Sequence, residues 1–231
     1  MRGAENFEAM GEAGLRPIIR HAGLADEVYD AIFSQLMALK IAPGSRITVD
    51  NLVREFGVSH TPIREALGRL EGEGLVAKTH LIGYSAAPQI TRRRFDELYE
   101  LRLLLEPDGA RRAALRMNDE RLRVLREVAG GMSGRGGDDR LRYSAFARQD
   151  AVFHDRILEF AGNELVRETL AHQHTHFHIF RLMFHARVTE EALDEHAALL
   201  DAFAAGDGAS AEQAMRDHIS RSRDRLVPAF E

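Results

Sequence analysis

Apolar residues recur at helical spacing along most of this chain, and one short stretch near residue 80 breaks the pattern. Between Leu24 and Lys40, positions Val28, Ile32, Leu36 and Leu39 share a face, and Pro43-Gly44 ends the element. Val49, Leu52, Val53 and Phe56 form a second stripe, after which Gly57 permits a sharp turn. A third stripe follows at i, i+3, i+4 and i+7, on Ile63, Ala66, Leu67 and Leu70. Ser59 or Thr61 serves as its N-cap, Pro62 fits a first turn whose amides have no partner inside the helix, and Gly72 and Gly74 stop it. Leu75–Lys78 and Ile82–Ala86 then read as two short strands around a turn. The order of helix, helix, turn, helix and hairpin predicts a winged helix-turn-helix over residues 22–88, preceded by a flexible lead-in at 1–21.

Beyond Thr91 the strand signal disappears. Segments 91–117, 119–129, 139–161, 163–186, 189–205 and 209–226 all carry helical spacing, separated by breaks such as Gly130–Gly137 and Gly206-Asp207-Gly208. Residues 89–231 therefore read as an all-α bundle, joined to the first unit through Ala86-Ala87-Pro88-Gln89. The fold class is mainly α, a winged helix-turn-helix followed by a helical bundle.

The third helix keeps its exposed side polar: His60, Thr61, Arg64 and Gly68 oppose the apolar stripe, and Ser59 stands at its start. Such groups can hydrogen-bond phosphates or base edges. Charge lends no independent support, because residues 1–88 hold 9 Lys/Arg against 11 Asp/Glu and the whole chain is formally −5. A nonspecific nucleic-acid coat needs a basic face. What remains is a small cluster at Arg46, Arg54, Arg64, Arg69 and Lys78, so binding is expected to need two copies on a two-fold site. A winged helix that binds protein is the alternative.

The run G-V-S-H-T-P-I-R-E-A-L-G-R-L-E-G-E-G-L-V at 57–76, with Pro43-Gly44 and Leu52 before it and Gly83-Tyr84 after it, resembles the DNA-binding domain of GntR-family bacterial transcription regulators. The resemblance covers roughly residues 22–88 and implies operator contacts from Ser59, His60, Thr61, Arg64 and Gly83. Two positions depart from it: His60 replaces a usual arginine, and Asp50 stands where some members have a basic contact. The wing turn at Thr79–Ile82 is also less basic than usual.

In the helical half, several polar residues fall on core positions. Asp150 and His154 lie along the stripe Phe146, Phe153, Ile157 and Ala161, four apart and therefore side by side. His196 falls among Ala192, Leu199, Leu200 and Phe203, and His218 follows Ala214 and Met215. His196 is 10 residues before Gly206 and His218 is 10 after Gly208, so an antiparallel hairpin brings both imidazoles to one level. With Asp150 and His154 they make a three-His, one-carboxylate set suited to Zn²⁺, Ni²⁺ or Mn²⁺. Core histidines satisfied by backbone carbonyls are the plain alternative. D-A-V-F-H at 150–154, A-G-N at 161–163, E-H-A-A-L-L-D-A at 195–202 and His218 resemble the FCD effector domain of the FadR branch of the GntR family. That resemblance implies a D-x3-H, H, H metal site on these same four residues.

Arg102, in F-D-E-L-Y-E-L-R-L-L-L-E at 95–106, borders the apolar face. From spacing alone it pairs with Glu106 on a solvated face or meets a ligand; the FCD resemblance implies contact with a carboxylate effector. The run A-H-Q-H-T-H-F-H at 171–178 stays outside the metal set. On a continuous helix His172 and His176 share one face while His174 and His178 share another, mostly solvated or at a helix contact, with room for one facing inward toward an effector.

The chain holds no cysteine, which excludes disulfides and thiolate ligands and fits a reducing cytoplasm. It has no 18-residue apolar run that would span a membrane. The resulting expectation is a cytoplasmic homodimeric regulator, by default a repressor, that binds double-stranded operator DNA and responds to a small carboxylate metabolite held at a divalent metal. A metal-sensing regulator and a metal-dependent hydrolase with an accessory winged helix are the competing readings.

Overall fold

Gly57 sets the geometry of the N-terminal unit. In the computed structural model, which describes residues 23–132, 139–182 and 186–231, its φ of 67° lies in the left-handed region that glycine enters without strain. There the chain leaves helix α2 (Val49–Phe56) and turns toward α3 (His60–Gly72), whose four stripe residues Ile63, Ala66, Leu67 and Leu70 are fully buried. Helix α1 (Leu24–Met37) covers them with Val28, Ile32 and Leu36. Ser59 occupies the N-cap of α3, with no side-chain hydrogen bond. Residues 1–21 of the expected lead-in lie outside the described residues.

Helix α1 ends at Met37, earlier than the apolar spacing implied. Leu39 adopts a left-handed φ of 55°. The Leu39 amide then bonds the Leu36 carbonyl at 3.2 Å and the Lys40 amide bonds that of Gln35 at 2.9 Å, the two bonds of a Schellman closure. The wing gains a strand that was too short for any periodicity to announce. β1 (Arg46–Ile47) pairs antiparallel with β3 (Gly83–Ala86), which pairs with β2 (Val76–Thr79), giving the order β1-β3-β2. Leu81, with φ 62°, and Ile82 form the exposed tip.

The C-terminal unit is helical throughout its described residues. Helix α4 (Arg92–Leu115), started by the Thr91 side chain accepting from the Arg94 amide, runs against α6 (Asp139–Ala161) and α10 (Gly208–Leu226). Helix α5 (Asp119–Met132) lies on α6, and α9 (Ala186–Ala204) folds back on α10. The α9–α10 hairpin has a local cause: Gly206 turns at φ 64°, and the Asp207 carboxylate accepts from the amides of Ala209 and Ser210 at 3.0 and 3.1 Å.

The segment expected as one helix over 163–186 is two. α7 (Glu164–Ala171) and α8 (Thr175–Phe180) are divided by His174, whose φ of 46° no α-helix tolerates. The break changes which way each histidine of the 171–178 run faces.

Candidate metal centre and nucleic-acid interface

Four side chains from α6, α9 and α10 meet in the middle of the bundle. Asp150, His154, His196 and His218 are each at most 4 % exposed, and the three imidazoles each offer a ring nitrogen within 4.8 Å of the others. Asp150 Oδ1 lies 3.2 Å from His196 Nε2 and 4.0 Å from His154 Nε2. The hairpin register does what the residue count required, with the His196 and His218 rings 4.8 Å apart between centroids.

Two outer chains aim the rings. Arg102 Nε donates to Glu106 at 2.6 Å, and Glu106 Oε2 pairs with His154 Nδ1 at 2.6 Å. In the mirror arrangement Arg225 donates both terminal nitrogens to Glu195 at 2.6 and 2.9 Å, and Glu195 pairs with His218 Nδ1 at 2.8 Å. A carboxylate on Nδ1 fixes the tautomer with the proton there, leaving Nε2 as a lone pair directed at the common point. His154 Nε2 and both nitrogens of His196 are buried without a hydrogen-bond partner. Orphaned nitrogens in the core are costly unless something is bound between them. Nitrogen and carboxylate donors without sulfur suit Zn²⁺, Ni²⁺ or Mn²⁺, so the residues fit the ion.

Burial pushes the His154 imidazole down to about 4 and holds His196 well below its ordinary value. For Asp150, burial favours the neutral acid, but the His176 hydrogen bond and the neighbouring imidazoles outweigh it and keep the group ionised. Neutral histidines beside a carboxylate are the protonation state a metal needs. Above pH 6.5 folding costs His154 no proton, whereas between 6.5 and about 4 the unfolded chain takes up a proton that the folded one refuses. Metal-free protein is therefore expected to lose on the order of 3 kcal/mol from His154 alone as pH falls through that window. Denaturant melts at pH 7 and pH 4.5 measure it.

Arg102 sits deeper than its sequence position implied. It is 1 % exposed and bound to Glu106, so the i,i+4 pair forms, but in the core rather than on a solvated face. An effector carboxylate would have to compete with Glu106 for it. Arg102→Ala strands a buried carboxylate and should cost about 3 kcal/mol or more, whereas Arg102→Met with Glu106→Gln should recover much of that. Thermal denaturation of both variants decides it.

Sequence reasoning missed Glu106 and Glu195 as orienting groups, and it left open which histidine of the 171–178 run faces inward; that residue is His176. His176 Nδ1 lies 2.7 Å from Asp150 Oδ2 and its ring is 4.6 Å from that of His154. Glu195 stood beside His196, and Glu106 four residues after Arg102, where a search for acids next to ligands would have found them. His176 gave no such signal, because only the bend at His174 turns it inward. His172 is exposed and bonds the Glu168 carbonyl. Beside the cluster lies a cavity of about 250 Å³, walled by Val152, Leu158, Leu170 and Phe177, with Arg148 and Arg167 also on its lining.

The head presents Ser59, His60, Thr61, Arg64 and Gly83 on its surface, the first four at the start of α3 and the last on the wing. The two departures from the family pattern pair with each other, His60 Nε2 lying 2.8 Å from Asp50 Oδ1. Among the basic cluster, Arg69 is engaged by Asp26 at 2.5 Å, Arg46 by the Ile82 carbonyl at 3.1 Å, and Arg54 by Asn51. Arg64 has no hydrogen bond or ion pair among the described residues, which leaves its guanidinium free.

A winged helix-turn-helix joined to an all-α bundle defines a class, the two-domain DNA-binding transcription regulators. The chain belongs to the GntR family of bacterial regulatory proteins, whose pattern matches residues 24–83, and carries an FCD domain over residues 97–221. It is 28% identical over 214 residues to the transcriptional regulator LutR of Bacillus subtilis, covering 83% of this chain and 96% of that one. It is 34% identical over 128 residues to the Nta operon transcriptional regulator of Aminobacter aminovorans, covering 55% and 59%. The solved structure of Escherichia coli McbR/YncC shares the fold at a TM-score of 0.66 and 20% identity, over 90% of this chain and 99% of that one. These relatives are transcriptional regulators rather than enzymes, which disposes of the hydrolase reading. No helix among the described residues is long and apolar enough to cross a membrane.

Proposed function

We propose that this regulator works in the cytoplasm as a homodimer whose operator affinity is set by a small organic acid, bound at a divalent metal on Asp150, His154, His196 and His218. Convergence of three buried imidazoles on one point, two of them with partnerless nitrogens and two aimed by carboxylates, carries the reading. Four protein ligands leave coordination room on a five- or six-coordinate ion, and a carboxylate fits there. The mostly apolar cavity alongside suits an acid with an apolar body. Ser59, His60, Thr61, Arg64 and Gly83 contact the operator, one head per half-site. The acid acts by preferring one arrangement of the two heads. Relatives include a galactonate operon repressor of Escherichia coli and a probable D-xylose utilization operon repressor of Paenarthrobacter nicotinovorans, which favours repression.

The test is a thermal-shift titration of chelator-stripped protein with Zn²⁺, Ni²⁺ and Mn²⁺, followed by a panel of organic acids. One ion per chain should bind, adding about 2.7 kcal/mol of stability at a hundredfold excess over Kd. Acids should raise the melting temperature further only in metal-loaded protein. Failure of all three ions to bind would refute the metal centre. Operator affinity that follows the ion alone, with no response to acids, would make the ion itself the signal.

A further inference from the structure

The histidine run at 171–178 is not absorbed by DNA binding or by the four-residue cluster, yet it lies between them. The break at His174 gives α8 two working sides. Inward, His176 holds the Asp150 oxygen that does not face the imidazoles, at 2.7 Å, and lines the cavity. Outward, the same short helix touches the DNA-binding head at several points. The His174 ring lies against the backbone turn that ends α3. Phe177 meets Phe33 of α1 edge to face, with centroids 5.2 Å apart. Gly74, at φ 69°, lies so close that a β-carbon there would meet His178 Nε2 at 3.5 Å and His174 Cδ2 at 3.9 Å. At the far end, Arg181 donates to the Ala87 carbonyl at 2.6 Å and Gln89 donates to the Arg181 carbonyl at 2.8 Å, tying α8 to the interdomain connection.

We propose that α8 is the coupling element between the sensor site and the head: His176 reads the position of Asp150, and His174, Phe177 and His178 pass it to the end of α3 and to α1. This rests on the metal reading above. An ion drawing Asp150 Oδ1 toward the imidazoles fixes the carboxylate plane, and with it the oxygen that His176 holds. Fixing His176 fixes a helix of only six residues, too short to absorb the change internally. Its outer side chains therefore seat against residues 72–74, where α3 ends. His176 is a positioning residue, acting on the ion through Asp150. A second route exists through α6, where Arg148 pairs with Asp30 at 2.6 Å and packs over Phe33, and the experiment separates the two.

Full-length protein is stripped with chelator and reloaded with Zn²⁺, uptake is measured by competition with a chromophoric chelator, and amide hydrogen exchange is followed at residues 70–76. In wild type, loading should slow exchange there by at least about fivefold. His176→Ala should still bind Zn²⁺, about 10–100-fold more weakly, while exchange at 70–76 no longer responds to the ion. His176→Gln, whose amide can still donate to Asp150, should regain part of the response. If the alanine variant does not fold, Phe177→Leu leaves the cluster intact and should bind Zn²⁺ normally with a reduced response. A Zn²⁺-loaded His176→Ala or Phe177→Leu protein with the full wild-type response would assign coupling to α6 and overturn the proposal. So would a wild type that binds Zn²⁺ with no change at 70–76. A wild type that takes up no Zn²⁺, Ni²⁺ or Mn²⁺ overturns the metal reading, and the relay falls with it.

Discussion

Arg64→Ala is expected to weaken operator binding by about 1–3 kcal/mol at each half-site, roughly 30-fold or more for a dimer engaging both. The size follows from the supply of free cations on the head. Arg46, Arg54 and Arg69 are held by local partners, whereas Arg64 projects from the exposed side of α3 with no hydrogen bond or ion pair among the described residues. Binding to a phosphate or a guanine edge therefore breaks no existing pair. Stability should stay within about 0.5 kcal/mol of wild type, since no buried group is touched. Mobility-shift titration on a footprinted operator, repeated over salt concentration, gives both the loss and its origin. A phosphate contact lowers the salt slope by about one per site, and a base contact leaves it unchanged while relaxing specificity. A folded Arg64→Ala protein with undiminished affinity would move the reading surface away from α3.

His196→Ala should lower metal affinity by more than about 100-fold, exceeding the 10–100-fold typical of losing an outer partner. Unlike His154 and His218, this ring has no carboxylate behind it. It packs 4.6 Å from Phe153 and 6.4 Å from Phe146, and neither of its nitrogens makes a hydrogen bond among the described residues. Its truncation removes a ligand, and Asp150, 3.2 Å from its Nε2, keeps His176 as a hydrogen-bond partner. Metal-free stability should consequently change far less than in Arg102→Ala, and operator affinity without effector should stay near wild type. Glu195→Gln makes the contrast: it keeps the ring but weakens the hold on His218 Nδ1, and should fall in the 10–100-fold range. Chelator competition measures the affinities, and equal losses in the two variants would argue against His196 as a direct ligand.

Much of the fold could be read along the chain because its signals are local. The α3 stripe, the left-handed Gly57 and the Asp207 cap each depend on residues within one or two turns. Counting from Gly206-Asp207-Gly208 placed His196 opposite His218 for the same reason, since a hairpin about a short turn leaves only one register. The third wing strand escaped because β1 spans two residues, below any period, and owes its existence to β3, nearly forty positions away.

The sequence by itself determined most of the elements, the class of regulator and the four side chains that converge in the bundle, because helical spacing and capping are properties of neighbours. Tertiary structure alone decided that Glu106 and Glu195 aim the imidazoles, that Arg102 is committed to the core, that Asp50 claims His60, and that the bend at His174 sends His176 to Asp150 and its neighbours to the head. Each of these depends on distances between helices and on which groups lose water together, and no pattern along one strand of chain encodes how far burial will drive a charge to find its partner.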